Sequence, residues 1–595
     1  MLSGLSGTIA TVSLDTEGFY LAVNQYDLHF PKSTSELPQF TKTLTTNALV
    51  RHKSTAPRNR SLFMLKDYKL WAGLLYTMNI TAFNAIYGHY ITGPAAKSWS
   101  LFSDITFNTV HSFINRSSSL TVEDVQRLSM AFKFPVSPFL KRTKFTVPNE
   151  YRKRAGDLLE SLFSDEEQQR IGWDWRKKRD TDTEITGEWL QRVGNPLDPC
   201  KESVVLYLHG GAYYLCNYEM YRPFLTKLIK YSNCRTCSIN YRLAPQNPFP
   251  AALEDALATY LYLTQPPEGE GLLPTDPKKI VISGDSAGGG LTMALLLAIR
   301  DAGLPLPAGA MPMCPWVDLT HSLPSILLNM MTDFLPAVGF KHAPSPALDY
   351  AQLPQRQQDT KMLEEASKKA KEAKDKHKLT IPEDEDDATQ HRESIGPFGI
   401  PVPHTDDDND MYRVQFYAPN EALKLPMVSP IFDRRRLRGL PPLLIQCGKS
   451  ERLRDESIYL TLQGTGTFPD KNDKQYGKST KITLEIFVDQ PHVFQVMFMW
   501  TKPTKRAVRN LAAFLAEVTG SPANVRKGGK YLSDQLLSVK EISPRGEMVD
   551  AKTRLLEEVN EDTWNKWNTR LARPSIKERI DEVRAYYHQL IDQKT

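Results

Sequence analysis

Lys278–Gly290, KKIVISGDSAGGG, is the stretch on which the fold turns. Ile280, Val281 and Ile282 form a β-branched run and read as a buried strand. Gly284-Asp285-Ser286-Ala287-Gly288 follows at once, and Leu291–Ile299 is an apolar run long enough for a buried helix. Strand, sharp turn and helix with GxSxG at the corner predict a nucleophile elbow. The residues flanking the serine must be small for the chain to turn so tightly, and Gly284 and Gly288 meet that need. The helix that starts here aims backbone N–H groups and its positive end at the serine, which favours a developing oxyanion. A bare GxSxG arises by chance in long chains, so the surrounding pattern must carry the reading.

Outward from the elbow, strand and helix patterns alternate. Upstream, Val204–Leu208 is a strand candidate that runs into His209-Gly210-Gly211-Ala212-Tyr213-Tyr214. A glycine pair after a strand lets the backbone approach a ligand and point N–H groups at it. Thr236–Tyr241 is the next strand candidate, and Phe249–Leu263 opens into a helix. Downstream, Met311–Leu319 follows the elbow, Pro442–Gly448 reads as a buried strand, and Ile482–Val488 alternates as the last strand, ending in Asp489-Gln490-Pro491-His492. A helix over about Arg506–Val518 closes the unit. Such alternation predicts an α/β protein with a mostly parallel central sheet and right-handed crossovers.

Composition narrows the class. A chain of 595 residues has room for a large core with additions, and a formal net charge of +5 without a basic block excludes a nucleic-acid partner. The cysteines are scattered; Cys234 and Cys237 form a lone CxxC with no second pair at zinc spacing, so no metal is expected there. No basic region leads into an apolar run with a small-residue cleavage site, so reduced thiols in the cytoplasm are the default. Residues 71–96 contain no Lys, Arg, Asp or Glu. Three readings of that stretch stand open: a buried or cap helix, an interfacial contact with a membrane surface, and a membrane span.

Six regions follow: a loosely packed, flexible 1–60, a helical cap over 61–199, core over 200–336, a charged insertion over 337–410, core over 411–520, and a charged helical tail over 521–595. In the insertion, Glu364–Lys368, Glu365–Lys369 and Glu372–Lys376 pair at i,i+4 and acidic runs follow, with too little apolar surface to offset chain entropy. In the tail, Ile576, Ile580, Val583, Tyr587 and Leu590 form one apolar stripe, expected to dock on the domain.

Taken in order, HGGAYY (His209–Tyr214), YRLAP (Tyr241–Pro245), FPAALEDA (Phe249–Ala256), GDSAGGG (Gly284–Gly290) and PWVDLT (Pro315–Thr320) resemble the hormone-sensitive-lipase branch of the α/β-hydrolase superfamily. These are the fold-3 esterases and lipases with an HGG(G/A) loop, fungal steryl acetyl hydrolase-like esterases among them. The resemblance covers about Ser203–Asp333 and Met427–Leu515. It implies an α/β-hydrolase fold and hydrolysis of a carboxylic ester through a nucleophile, an acid and a histidine in that chain order. Ser286, Glu451 and His492 occupy the matching positions, with the backbone N–H groups of Gly210, Gly211 and Ala287 as oxyanion donors. The acid departs from the pattern: Glu451-Arg452-Leu453-Arg454-Asp455-Glu456 begins with Glu where the family usually has Asp, which makes Asp455 the rival. Asp285 and His209 match as structural residues of the elbow and the glycine loop, and Gln246 stands where the family usually has Glu. An ester or lipid is the expected small-molecule partner, on an intracellular membrane or lipid droplet if residues 71–96 bind a surface. No cofactor is implied. Two other functions remain open: a ligand-binding protein on the same fold, as in relatives that have lost the histidine, and an amidase or thioesterase using the same three side chains.

Overall fold

The computed structural model describes residues 6–15, 18–27, 79–176, 184–194, 202–267, 273–336, 415–470, 473–521 and 531–573, with scattered residues in 340–347 and 578–589. Among the described residues are twelve strands: β1 (Ser6–Asp15), β2 (Gly18–Asp27), β3 (Leu140–Val147), β4 (Ile185–Arg192), β5 (Val204–Leu208), β6 (Arg235–Asn240), β7 (Ile280–Asp285), β8 (Gly309–Met313), β9 (Leu443–Gly448), β10 (Ile482–Phe487), β11 (Leu537–Ile542) and β12 (Met548–Asp550). β1 and β2 pair as an antiparallel hairpin, and the other ten make one sheet in the order β12-β11-β10-β9-β8-β7-β5-β6-β4-β3. From β6 to β11 all neighbours are parallel; β4, β3 and β12 add antiparallel edges.

The central strands are continuous apolar runs because helices cover both faces. Leu206, Leu208 and Ile282 point into a cluster with the helices Ala251–Thr264 and Ala287–Asp301. The alternate residues Val205, Tyr207 and Val281 point to the other face, against Phe224 and Leu225 of the helix Arg222–Ser232 and Leu511 and Phe514 of the helix Lys502–Thr519. Each such Leu or Phe removed from water contributes about 1.5–3 kcal/mol, so this two-sided core fixes the strand ends that carry the site.

The structure departs from the sequence expectations at the edges. A helical cap was expected over 61–199, and within it Leu140–Val147 and Ile185–Arg192 are strands that extend the sheet. The outer of these, LKRTKFTV, is solvated along most of its length, so it lacks the apolar signature of an inner strand. Ile482–Phe487 is not the last strand: Leu537–Ile542 pairs parallel to it from within the charged tail. Phe340, His342 and Ala347, from the stretch read as a solvated insertion, pack around Tyr214. Residues 348–410 of that insertion and the tail stripe Ile576–Leu590 lie outside the described residues, apart from a few positions in 578–589.

A helix spans 79–91, its lower side tied to the helix Leu101–Arg116 through Thr81–Ser112 (3.0 Å) and His89–Asp104 (3.1 Å). The opposite side is not buried: Ile80, Phe83, Tyr87, Tyr90 and Ile91 are all exposed. No helix among the described residues is long and apolar enough to cross a membrane. At the far end of the chain the helix Glu561–Ala572 docks through Trp564, which stacks on Tyr459 at 4.3 Å and on Phe468 at 4.8 Å.

Candidate active site

β7 ends at Asp285, and Ser286 turns the chain with φ 53° and ψ −121° before the next helix begins at Ala287. A side chain on Gly284 or Gly288 would block this turn: a Cβ on Gly284 would stand 2.4 Å from the Gly288 carbonyl oxygen, and one on Gly288 2.0 Å from that of Leu208. A non-glycine residue at positive φ is uncommon and is held by its surroundings. Here the Ser286 N–H donates to the Met313 carbonyl at 3.0 Å, and the Ser286 carbonyl accepts from Trp316 N–H at 2.9 Å.

The three sequence-derived side chains converge at this corner. Ser286 Oγ lies 2.8 Å from His492 Nε2. His492 Nδ1 lies 3.6 Å from Glu451 Oε2, with both side chains buried. His492 follows β10 and Glu451 follows β9, so parallel register brings the ends of neighbouring strands to one edge of the sheet. Burial pushes the Glu451 carboxyl up, an effect that His492 and the Cys314 thiol partly offset. Burial alone would lower the His492 imidazole; the adjoining Glu451, with Asp333 and Asp285 behind it, outweighs burial and leaves the imidazole above its ordinary value. A histidine with that environment takes a proton readily. The rival, Asp455, faces elsewhere: it accepts from Ser325 N–H at 2.9 Å and from Arg454 Nε at 2.9 Å.

The glycine loop differs from expectation at one atom. The Gly210 N–H was expected to face the oxyanion, but it donates to Asp285 Oδ1 at 3.0 Å. Asp285 is the clamp of this loop. Its Oδ1 also accepts from Tyr207 Oη at 2.7 Å and its Oδ2 from Tyr221 Oη at 3.2 Å. Burial raises the Asp285 carboxyl to about 6 against the pull of the two tyrosines. Gly210 therefore serves as packing, since a Cβ there would meet Asp285 Oδ2 at 2.3 Å. None of the described loop and cap hydrogen bonds uses the N–H of Gly211 or of Ala287. Gly211 takes φ 112°, a conformation that favours glycine. His209 bonds the Gly210 carbonyl through Nδ1 at 2.7 Å and stacks on Tyr241 at 4.3 Å, which holds the loop from behind. Gln246 forms a reciprocal amide pair with Gln126, at 2.8 and 3.0 Å, where the family's Glu would leave a charge.

Several contributors carry no sequence signal. Tyr207 and Tyr221 look like core aromatics, and Asp333 sits in a short polar break between Met331 and Phe334. Cys314 looks like a buried strand residue, yet its Sγ, a Glu451 oxygen and a His492 nitrogen lie within 4.8 Å of one another. Within this cluster the Glu451 carboxylate and the His492 imidazole face each other at 3.6 Å. The lone CxxC pair, Cys234 and Cys237, consists of two buried free thiols away from these residues.

Known proteins are similar to parts of this chain. A family profile described as alpha/beta hydrolase fold matches residues 205–342. An acetyl-hydrolase of Streptomyces hygroscopicus is 39% identical over 136 residues, 22% of this chain and 41% of that protein. An esterase of Acinetobacter venetianus is 25% identical over 311 residues, 52% of this chain and 74% of that one. The hormone-sensitive lipase of Mus musculus is 26% identical over 291 residues, 47% of this chain and 37% of the lipase. The chain thus spans less than half the length of the Streptomyces and mouse relatives.

Proposed function

We propose that this chain, an α/β-hydrolase similar to the hormone-sensitive-lipase branch, is a serine carboxylic ester hydrolase that cleaves an apolar ester through an acyl-enzyme. The observation that carries the reading is the 2.8 Å approach of Ser286 Oγ to His492 Nε2 at the elbow. The names of its relatives, acetyl-hydrolase, esterase and hormone-sensitive lipase, support the same reaction class.

In this reaction Ser286 Oγ attacks the ester carbonyl carbon while His492 Nε2 takes its proton. The carbonyl oxygen becomes an oxyanion, bound by the N–H groups of Gly211 and Ala287. Each such donor contributes about 3 kcal/mol to the transition state. His492 then delivers the proton to the leaving alcohol oxygen as the C–O bond breaks, which leaves the acyl group on Ser286. Water, deprotonated by His492, then attacks the acyl carbon; the bond from that carbon to Ser286 Oγ breaks as His492 returns the proton to Oγ, and the carboxylic acid departs. Glu451 keeps the imidazole oriented and compensates its positive charge in both halves. The gap of 3.6 Å between Glu451 and His492 closes when the imidazole gains its proton, because opposite charges then face each other away from water.

We further propose that the substrate is taken from the surface of an intracellular membrane or lipid droplet. The exposed Phe83, Tyr87, Tyr90 and Ile91 on the helix over 79–91 support this. Aromatic and aliphatic side chains on one helical face suit the headgroup boundary of a lipid surface.

The deciding experiment is turnover of short- and long-chain p-nitrophenyl esters by the purified chain beside Ser286→Ala. Hydrolysis that falls by about four to six orders of magnitude in the variant supports the reading. Equal turnover by both proteins overturns the nucleophile, and no turnover by either overturns the reaction class.

A further inference from the structure

The carboxylate of Asp333 is buried between the two loops that bring acid and base together. Its Oδ2 accepts the backbone N–H of Arg452, the residue after Glu451, at 2.6 Å. Its Oδ1 accepts the backbone N–H of His492 itself at 3.3 Å. The neighbouring chain is fixed to the same place. Arg452 Nε donates to the Ile326 carbonyl at 2.7 Å and its Nη1 to the Pro336 carbonyl at 2.5 Å, one on each side of Asp333. The Phe334 ring stands edge-on to the His492 ring at 6.2 Å.

We propose that Asp333 is a positioning residue for hydrolysis: one carboxylate ties the Glu451 loop to the His492 loop and sets their separation. The proposal rests on the ester-hydrolase reading and identifies what holds its acid and base in register. The physical ground is the number of lone pairs. A carboxylate is the one side chain of this size that offers both oxygens as acceptors, so it can bind two backbone N–H groups from different loops. Without it, each N–H would lose a buried partner and the loops would be free to part.

The charge of Asp333 has a second effect. The ionisable groups facing His492 are Glu451 from the loop after β9, Asp285 from the elbow and Asp333, all acidic, with Cys314 from the end of β8 close by. Asp333 is faced in turn by Arg452 and by His111 of the helix Leu101–Arg116. Asp333 therefore adds to the field that favours the protonated imidazole. Removing its charge makes His492 a weaker base, with no direct contact to the substrate.

The test compares the wild-type chain with Asp333→Asn and Asp333→Glu, checked for folding by thermal melting. Two readouts are used. The first is the pH profile of p-nitrophenyl ester hydrolysis. The second is the titration of the His492 imidazole by NMR on 13C-histidine-labelled protein, assigned with His492→Gln. Asparagine keeps the shape, but its amide N–H₂ abuts one of the two backbone donors. Asp333→Asn is expected to lower kcat about tenfold with KM within about twofold. It is also expected to move both the acid limb and the NMR titration down by about one pH unit. Asp333→Glu is expected to hold the limb near its wild-type position. An Asp333→Asn protein with both titrations unmoved, or with kcat within about twofold of wild type, overturns the proposal. Should Asp333→Asn fail to fold, Asp333→Glu decides: a limb that moves as far as loss of charge requires overturns it. Absence of wild-type turnover overturns the hydrolase reading alone, and the NMR titration still decides the role of Asp333.

Discussion

Glu451 Oε2 and His492 Nδ1 face each other across 3.6 Å, and among the described residues neither atom has a partner within hydrogen-bond distance. In the proposed reaction Nε2 accepts the Ser286 proton, so the neutral imidazole carries its own proton on Nδ1, toward Glu451. Uptake of the serine proton at Nε2 turns the ring into a cation, whose charge the Glu451 carboxylate compensates. Glu451→Gln is expected to lower kcat by about two to four orders of magnitude, since it removes the compensating charge and misorients the ring. Glu451→Asp, with a shorter reach, is expected to fall between the two. Asp455→Asn is expected to lose less than about tenfold, because Asp455 holds Ser325 and Arg454 rather than His492. A kcat loss for Asp455→Asn larger than that for Glu451→Gln would transfer the acid role to Asp455.

The same surroundings set the acid side of the pH profile. In the proposed reaction His492 must be neutral to take the serine proton, and its acidic neighbours favour the protonated ring, which puts its titration above the ordinary histidine value. The kcat/KM of the wild-type chain is expected to fall as pH drops, with a midpoint above about 6.5. In Glu451→Gln the midpoint moves lower, since the largest support for the charged ring is gone. Profiles recorded from about pH 5 to pH 9 on a neutral ester check this.

Stability has its own pH dependence, to which Glu485 contributes in the same direction as the buried Asp285. Glu485 lies inside the sheet on β10, where it accepts from Gln446 at 2.8 Å, Asn510 at 2.5 Å and Tyr531 at 2.5 Å. Burial outweighs these donors and raises its carboxyl to about 7. An unfolded glutamate titrates near about 4.3, so the folded chain holds the proton more tightly. That contribution is complete below the unfolded value and is lost as pH rises through about 7. Thermal melting is expected to drop between about pH 5 and pH 8, and Glu485→Gln is expected to flatten the slope. An unchanged slope in the variant would place the effect elsewhere.

The exposed face of the helix over 79–91 separates surface binding from chemistry. Replacing Phe83, Tyr87 and Tyr90 together by Ser removes the large apolar side chains and leaves Ser286, His492 and Glu451 untouched. The triple variant is expected to lose most of its co-sedimentation with phosphatidylcholine–phosphatidylserine vesicles. Turnover of water-soluble p-nitrophenyl acetate is expected to stay within about twofold of wild type. Wild-type protein that ignores the vesicles would remove the lipid-surface reading and leave the esterase reading intact.

Order along the chain alone determined the β-strand, the GDSAG corner and the helix after it. Each depends on local chemistry: a β-branched run, glycines that allow a tight turn, and a long apolar helix. It also carried the succession of Ser286, Glu451 and His492, which strand order within the sheet brings to one edge. Only the tertiary structure decided which groups meet across long separations. Ser286 and His492 are 206 residues apart, Asp333 reaches 159 residues to His492 and 119 to Arg452, and the Gly210 N–H turns to a carboxylate 75 residues away. Such pairings are set by the packing of strand ends, and a one-dimensional pattern holds no record of which lone pair a buried N–H will find. The outer strands escaped for a related reason. β3 is solvated over most of its length, and its place in the sheet comes from hydrogen bonds to β4 rather than from an apolar pattern of its own.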